Sequence, residues 1–131
     1  MPTATDESAT ILRIRARETN CYLVRGAGGT ILVDPGPPGS AAAIAAGAAA
    51  AGVEPAEIRL ILVTHGHLDH YGAAAEVQAW CQAPTAAHPL APGFSQDRRN
   101  ALPPAQTIQG SLARLAYLLL TPLFSFQPLK A

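Results

Sequence analysis

The feature that most constrains this chain is an apolar segment that ends directly in a cluster of ionisable side chains. Residues 58–64, IRLILVT, are mostly apolar and rich in β-branched side chains, which predicts a strand buried on both faces. Residues 65–70, HGHLDH, hold three of the four histidines and one of the four aspartates in the chain. We call this segment the histidine motif. Because α/β proteins bind ligands beyond the carboxyl ends of strands, its position predicts a functional site.

The spacing within the histidine motif suits metal binding. Residues two apart in an extended segment point the same way, so His65 and His67 can offer nitrogens to one cation. Asp69 and His70 follow where the chain turns towards a helix expected near Gly72, and they can face a second cation. Imidazole and carboxylate suit zinc and also permit iron or manganese. The alternative is a surface or core role, but packing these groups together without a cation costs desolvation energy.

The rest of the sequence predicts a mixture of strands and helices. Residues 11–17 alternate apolar side chains with arginines, as a half-buried strand does, and the next two strands flank a glycine-rich turn, forming an antiparallel meander. Ser40 is the expected N-cap of an alanine-rich helix that ends before Gly52. The predicted elements are strands over 11–17, 21–24, 30–34, 58–64 and 85–88, helices over 41–51 and 73–82, a loop over 89–109, and an apolar helical segment over 112–126 that Pro122 interrupts.

Composition narrows the class of protein. A chain of 131 residues fits one domain, and 49% apolar residues argue against wholesale disorder. Nine basic residues balance nine acidic ones, which gives no electrostatic reason to expect nucleic acid or a membrane surface as a partner. The two cysteines, Cys21 and Cys81, do not form a disulfide framework and are expected to be reduced, buried fillers. Without a recognisable leader segment, the expected location is cytoplasmic.

Three segments of the chain resemble one known family. The sequence THGHLDHYG is similar to the T-H-x-H-x-D-H motif of the metallo-β-lactamase superfamily, and TNCYLV and TILVDPG resemble its opening strands. The similarity spans roughly residues 11–90 and looks most like the glyoxalase II-like branch. It implies an α/β (α+β) chain with the family's αββα sandwich, and hydrolysis of an ester, thioester or lactone with one or two zinc ions.

The resemblance also implies roles for individual residues. His65 and His67 would bind the first metal, and Asp69 and His70 the second, while a hydroxide bridging the two attacks the substrate. Asp69 would also act in catalysis by accepting a proton. Asp34 would support the site by a hydrogen bond to a ligand histidine, although an aspartate before proline is also a common turn residue.

Other polar and aromatic side chains have weaker claims. His88 is expected in a loop or at the edge of a pocket rather than on a metal. Tyr71 either lines the pocket or packs in the core, and Arg98 and Arg99 are expected to be a solvated pair.

The chain also departs from the family pattern. No histidine follows His88, and the only later aspartate is Asp97, so the second half of the sandwich, with its further metal ligands, is expected to be absent. We therefore expect a disordered terminus over 1–10 and an incomplete domain over 11–131, with an uncovered apolar sheet face. The expected partners are a small-molecule substrate and either a second copy or a complementing second-half chain. The alternatives are a non-catalytic metal-binding module that oligomerises through the sheet, and a remnant without function.

Overall fold

The computed structural model describes residues 8–88 and 107–120. The helices and strands follow one another in the order β1 (Thr10–Ala16), β2 (Thr19–Gly26), β3 (Gly29–Val33), α1 (Ala41–Ala50), β4 (Ile58–Val63), α2 (Leu68–Tyr71), α3 (Ala74–Cys81), β5 (Thr85–Ala87) and α4 (Ile108–Leu120), with a 3-10 turn over Pro55–Glu57 before β4. Most of the predicted frayed terminus, residues 1–10, lies outside the described residues, but Thr10 already belongs to β1.

The five strands form one mixed sheet in the order β1-β2-β3-β4-β5. The first three strands are antiparallel neighbours, which confirms the predicted meander. Strand β4 runs parallel to β3, and β5 runs parallel to β4. Helix α1 makes the first crossover, and α2 with α3 makes the second. The carboxyl ends of β3 and β4 therefore lie at the same edge of the sheet, where such folds place their ligands.

One face of the sheet carries helices α1 and α3. The alternation predicted in β1 is confirmed, because Ile14 and Ala16 are buried while Arg13 and Arg15 are exposed. The core joins this face to α1 and α3 and includes the large buried residues Ile14, Leu23, Leu32, Ile44, Ile61 and Val77. The α/β fold class is thus present as one sheet with a helix layer on one side.

The other face of the sheet is accessible and largely apolar, and β1 adds Arg13 and Arg15 to it, because Arg13 lies opposite Tyr22. Strand register aligns two rows of side chains across it, and Ile11, Tyr22 and Leu62 are among the exposed large apolar residues of the described chain. We call this surface the open face; it consists of Ile11, Tyr22, Val24, Ile31, Val33, Leu60 and Leu62. None of these residues is buried, in line with the expected uncovered face.

The prediction that β4 is buried on both faces is wrong. Arg59 and Leu62 are exposed, whereas Ile58, Ile61 and Val63 are buried. A register shift explains the pattern, because Thr30 pairs with Ile58 while the next residue of β3 pairs with Leu60. Arg59 is the extra residue of a bulge, which lets Ile58 and Ile61 both reach the core.

The ends of α1 match the predicted positions, but only one by the predicted mechanism. Ser40 is the N-cap residue, yet its hydroxyl makes no capping hydrogen bond, because its backbone is helical (φ −85°, ψ −10°) rather than extended. At the other end Gly52 is left-handed, with φ +66°. Its N–H donates to Ala49 O at 3.0 Å, and the N–H of Val53 donates to Ala48 O at 2.9 Å. These two backbone hydrogen bonds end the helix.

The helical segments after β4 differ from the prediction. A short helix, α2, begins at Leu68 inside the histidine motif, before the expected start near Gly72, and α3 follows separately. Helix α4 begins at Ile108, within the segment predicted as a loop. The remainder of that loop, including Asp97, Arg98 and Arg99, and the segment around Pro122 lie outside the described residues. Over residues 8–88 and 107–120, no helix has the length and apolar character needed to cross a bilayer.

Candidate metal centre

The site forms where β3 and β4 end. Asp34 directly follows β3, and Thr64 and His65 directly follow β4. The two strand ends are joined by a hydrogen bond from the Asp34 N–H to the Leu62 carbonyl, at 2.9 Å. Parallel pairing of β3 with β4 therefore brings a carboxylate beside the first histidine of the motif.

Asp34 is held by contacts to both carboxylate oxygens. Its Oδ1 accepts the Thr64 N–H at 2.9 Å, and its Oδ2 accepts the Thr64 hydroxyl at 2.7 Å. The same Oδ2 lies 3.1 Å from Nδ1 of His70. Asp34 is only 8% exposed, and its backbone is left-handed with φ +53°, a conformation that costs most non-glycine residues about 1–2 kcal/mol and that aspartate adopts more readily than they do. These contacts hold the side chain in place despite that strain.

The three imidazoles of the motif converge. The ring centroids of His65 and His70 lie 4.1 Å apart, and those of His65 and His67 lie 4.7 Å apart in an edge-on arrangement. One potential ligand atom from each of Asp34, His65 and His70 falls within 4.8 Å of the others. Within the described part of the chain, this is the group of three or more such residues that could hold a metal ion.

His67 and Asp69 lie beside this group rather than within it. His67 is the extended N-cap residue of α2. The Asp69 side chain is 57% exposed, and its Oδ2 lies 3.5 Å from Nε2 of His70. The grouping differs from the predicted pairs because α2 begins at Leu68, which turns His70 back towards Asp34. The ligand roles predicted for the motif stay predictions, while the structure places all of its ionisable side chains in one neighbourhood.

The loop after Asp34 locks the motif to the sheet. The Gly36 N–H donates to the His70 carbonyl at 3.0 Å, and the Gly36 carbonyl accepts the N–H of Ala73 at 2.9 Å. Gly36 has φ +85°, and a Cβ there would lie 2.9 Å from the Cβ of Ala16. At the far end of the loop, Gly39 donates its N–H to a carboxylate oxygen of α3. Gly36 therefore fixes the backbone position of His70, and a larger residue at position 36 would introduce strain and overlap.

Three further residues near the site lie outside the candidate metal group. Tyr71 is 5% exposed and packs with Val63 and Leu68, so it is a core aromatic rather than a pocket wall. Leu68 anchors the motif in apolar packing through this same cluster. His88 is exposed and does not belong to the three-residue metal group.

Both cysteines are free and buried, which confirms the prediction for them. Burial, together with the nearby Asp34 charge, raises the pKa of the Cys21 thiol to about 12. Burial also raises the pKa of Cys81. Neutral, enclosed thiols are poor nucleophiles and poor metal ligands, so the cysteines act as packing residues.

Sequence reasoning missed two threonines. Thr64 contacts Asp34 through both its N–H and its hydroxyl, and its hydroxyl oxygen also lies 2.8 Å from Nδ1 of His65. Thr19, at the start of β2, donates its hydroxyl to the Asp69 carbonyl at 3.1 Å. A signal existed only for Thr64, which directly precedes the motif. Thr19 is 50 residues from Asp69 in sequence, so only the fold brings it near.

The sequence of this chain is similar to those of known proteins. The family model of the metallo-beta-lactamase superfamily matches residues 14–117. A hydroxyacylglutathione hydrolase from Anaeromyxobacter dehalogenans is 48% identical over 61 residues, which are 47% of this chain and 22% of that protein.

Solved structures of metallo-beta-lactamases are also similar to this chain. A motif mutant of a metallo-beta-lactamase from Cronobacter sakazakii matches with a TM-score of 0.66 and 25% identity, covering 92% of this chain and 42% of that one. A di-zinc class B3 metallo-beta-lactamase from an Alaskan soil metagenome matches with a TM-score of 0.55 and 30% identity, over 59% of this chain and 29% of its own. The chain thus spans less than half the length of these relatives.

Proposed function

Because the chain belongs to the metallo-β-lactamase superfamily, we propose that it contributes to a zinc-dependent hydrolase acting on an ester, thioester or lactone. The name of the Anaeromyxobacter relative favours an acylated thiol among these substrates. A small-molecule substrate, no nucleic-acid or membrane partner, and a cytoplasmic location form part of the same proposal.

The observation that supports metal binding is the convergence of three imidazoles with a carboxylate at one strand edge. The rings of His67 and His70 lie 4.7 Å and 4.1 Å from the ring of His65, and Oδ2 of Asp34 lies 3.1 Å from Nδ1 of His70. Nitrogen and oxygen donors of this kind suit zinc, and iron or manganese are the alternatives. Packing these polar groups together is costly unless they share a cation or hydrogen-bond partners.

In this proposal each side chain has a distinct task. His65, His67, Asp69 and His70 hold one or two metal ions, and Asp34 orients His70, since both its oxygens already accept hydrogen bonds. A zinc ion bound there supplies Lewis acidity and lowers the pKa of a water molecule. The exposed Asp69 carboxylate, beside Nε2 of His70, accepts a proton from the attacking water.

The remaining ligands come from outside the described residues, in the same protein or from a second chain. Two ligands for each metal are fewer than the three protein ligands typical of catalytic zinc sites. We therefore propose that this chain binds zinc by itself and hydrolyses substrate efficiently only when a complementing segment is present.

Zinc content tests the metal site. Purified wild type, His67→Ala and His88→Ala are loaded with zinc, passed through a desalting column and analysed by mass spectrometry. His88 is a matched control because, like His67, it is an exposed histidine, but it lies outside the histidine motif. We expect wild type and His88→Ala to retain equal zinc and His67→Ala to retain much less. Equal zinc in all three proteins would overturn the proposed site.

The open face supports a second candidate function, a non-catalytic metal-binding module that associates through its sheet. Exposed apolar side chains such as Ile11, which is 65% exposed, are grouped there rather than scattered. In this case the occupant is a second copy of the chain. Light scattering after size exclusion would show an oligomer. Separate assays would show that this oligomer retains zinc and has no thioesterase activity. Leu62→Asp should reduce it to a monomer, whereas Ala42→Asp, on the exposed side of α1, should not; a monomeric wild type contradicts this candidate.

A further inference from the structure

The hydroxyl of Thr64 occupies the centre of a hydrogen-bond chain between the two strand ends. It lies 2.7 Å from Oδ2 of Asp34 and 2.8 Å from Nδ1 of His65. We propose that Thr64 is a positioning residue that fixes the ring proton of His65 on Nδ1, which leaves Nε2 as the nitrogen that meets the cation. This inference rests on the proposed function of the motif as a metal site.

Counting protons decides the direction of each bond. A threonine hydroxyl has one proton and two lone pairs, and an ionised carboxylate only accepts. At 2.7 Å, Asp34 Oδ2 and Thr64 Oγ1 need that one proton between them, because two lone pairs at this distance repel. The proton of Thr64 is therefore committed to Asp34. Since Thr64 then has only lone pairs for His65, Nδ1 of His65 must carry the proton.

The same argument applies to His70 without Thr64 as an intermediary. Nδ1 of His70 lies 3.1 Å from Oδ2 of Asp34, which accepts, so this ring also carries its proton on Nδ1. Nε2 of His70 then carries no proton, and it lies 3.5 Å from Oδ2 of Asp69. One buried carboxylate thus orients both rings, directly for His70 and through Thr64 for His65. Oriented rings of this kind raise metal affinity, and loss of such a partner typically costs about 10–100-fold.

The experiment compares Thr64→Val, which keeps the shape but removes the hydroxyl, with Thr64→Ser, which keeps the hydroxyl. Long-range proton–nitrogen NMR spectra of the metal-free full chain, at a pH where imidazole is neutral, show which ring nitrogen carries the proton. His70 is an internal control, because its partner is Asp34. Competition with a chromophoric zinc chelator then measures the affinity of each variant.

We expect the Nδ1–H form for His65 and His70 in wild type and in Thr64→Ser. In Thr64→Val we expect His65 alone to lose this preference, with zinc affinity about 10–100-fold lower. An Nε2–H form of His65 in wild type overturns the inference even if Thr64→Val does not fold, and so does an unchanged His65 in a folded Thr64→Val. If the tautomers are as expected but wild type binds no zinc, the proposed function fails while the role of Thr64 in fixing the ring proton stands.

Discussion

Replacing Asp34 separates the charge of this carboxylate from its backbone conformation. Asparagine is nearly isosteric and tolerates the left-handed backbone of φ +53°, so Asp34→Asn changes mainly the charge. Hydrogen bonds to a charged group contribute about 1.5–3 kcal/mol, against about 0.5–1.5 kcal/mol between neutral groups. Asp34 makes three such contacts, and each is weakened in the neutral variant. The variant also avoids the cost of burying a charge, which offsets part of that loss. We expect Asp34→Asn to lower the free energy of unfolding by about 1–2 kcal/mol.

Asp34→Ala should be worse, for a structural reason. It leaves the Thr64 N–H without its acceptor, a loss of about 1–3 kcal/mol, and places alanine in a left-handed conformation at about 1–2 kcal/mol. We expect a total loss of about 2–5 kcal/mol, the sum of those two costs. Urea denaturation of the metal-free chain measures both variants as shifts in midpoint at an unchanged slope.

Asp69→Asn is the control for this pair of variants. Its side chain is 57% exposed, so its stability should stay within about 0.5 kcal/mol of wild type. If Asp34→Ala is no less stable than Asp34→Asn, the account of the strained, hydrogen-bonded carboxylate is refuted. A wild-type midpoint for Asp34→Asn would likewise show that the charge contributes nothing.

Three further changes test the fold around the site. Gly36→Ala should lower the free energy of unfolding by about 2–4 kcal/mol, measured by heat or urea, because of backbone strain and steric overlap. Gly39→Ala is the control, because position 39 has φ +84° but no atom within 4 Å, and it should lower that free energy by only about 1–2 kcal/mol. Equal losses would contradict the close approach at Gly36. Ile61→Ala, at a residue with 0% exposure, should lose about 2–5 kcal/mol, and a loss below 1 kcal/mol would argue against a packed core. Burial raises the pKa of Cys21 to about 12 in the folded state, so the folded state holds the thiol proton to higher pH than the unfolded chain does. Stability therefore falls as pH rises from about 9 towards 12, by up to about 4 kcal/mol. Unfolding of Cys21→Ala should lack this part of the pH slope, and identical slopes would show that the thiol is not protected.

Local patterns in the sequence were sufficient for most of the elements. The alternation of apolar residues and arginines in β1 predicted its buried face, because neighbouring side chains of a strand point to opposite sides. Gly52 predicted the end of α1, since its left-handed backbone is a local property. The histidine motif was likewise visible as a possible metal site from residue types and spacing alone.

Long-range pairing decided the rest. Residue spacing could not show that Asp34 reaches His70, 36 residues later, or that Thr64 joins Asp34 to His65. Nor could the apolar sequence of β4 show that a bulge at Arg59 would bury Ile58 and leave one face of the strand accessible. A sequence pattern reports what each segment prefers in isolation. Which donor meets which acceptor depends on how distant segments pack, and that information exists only once the sheet has formed.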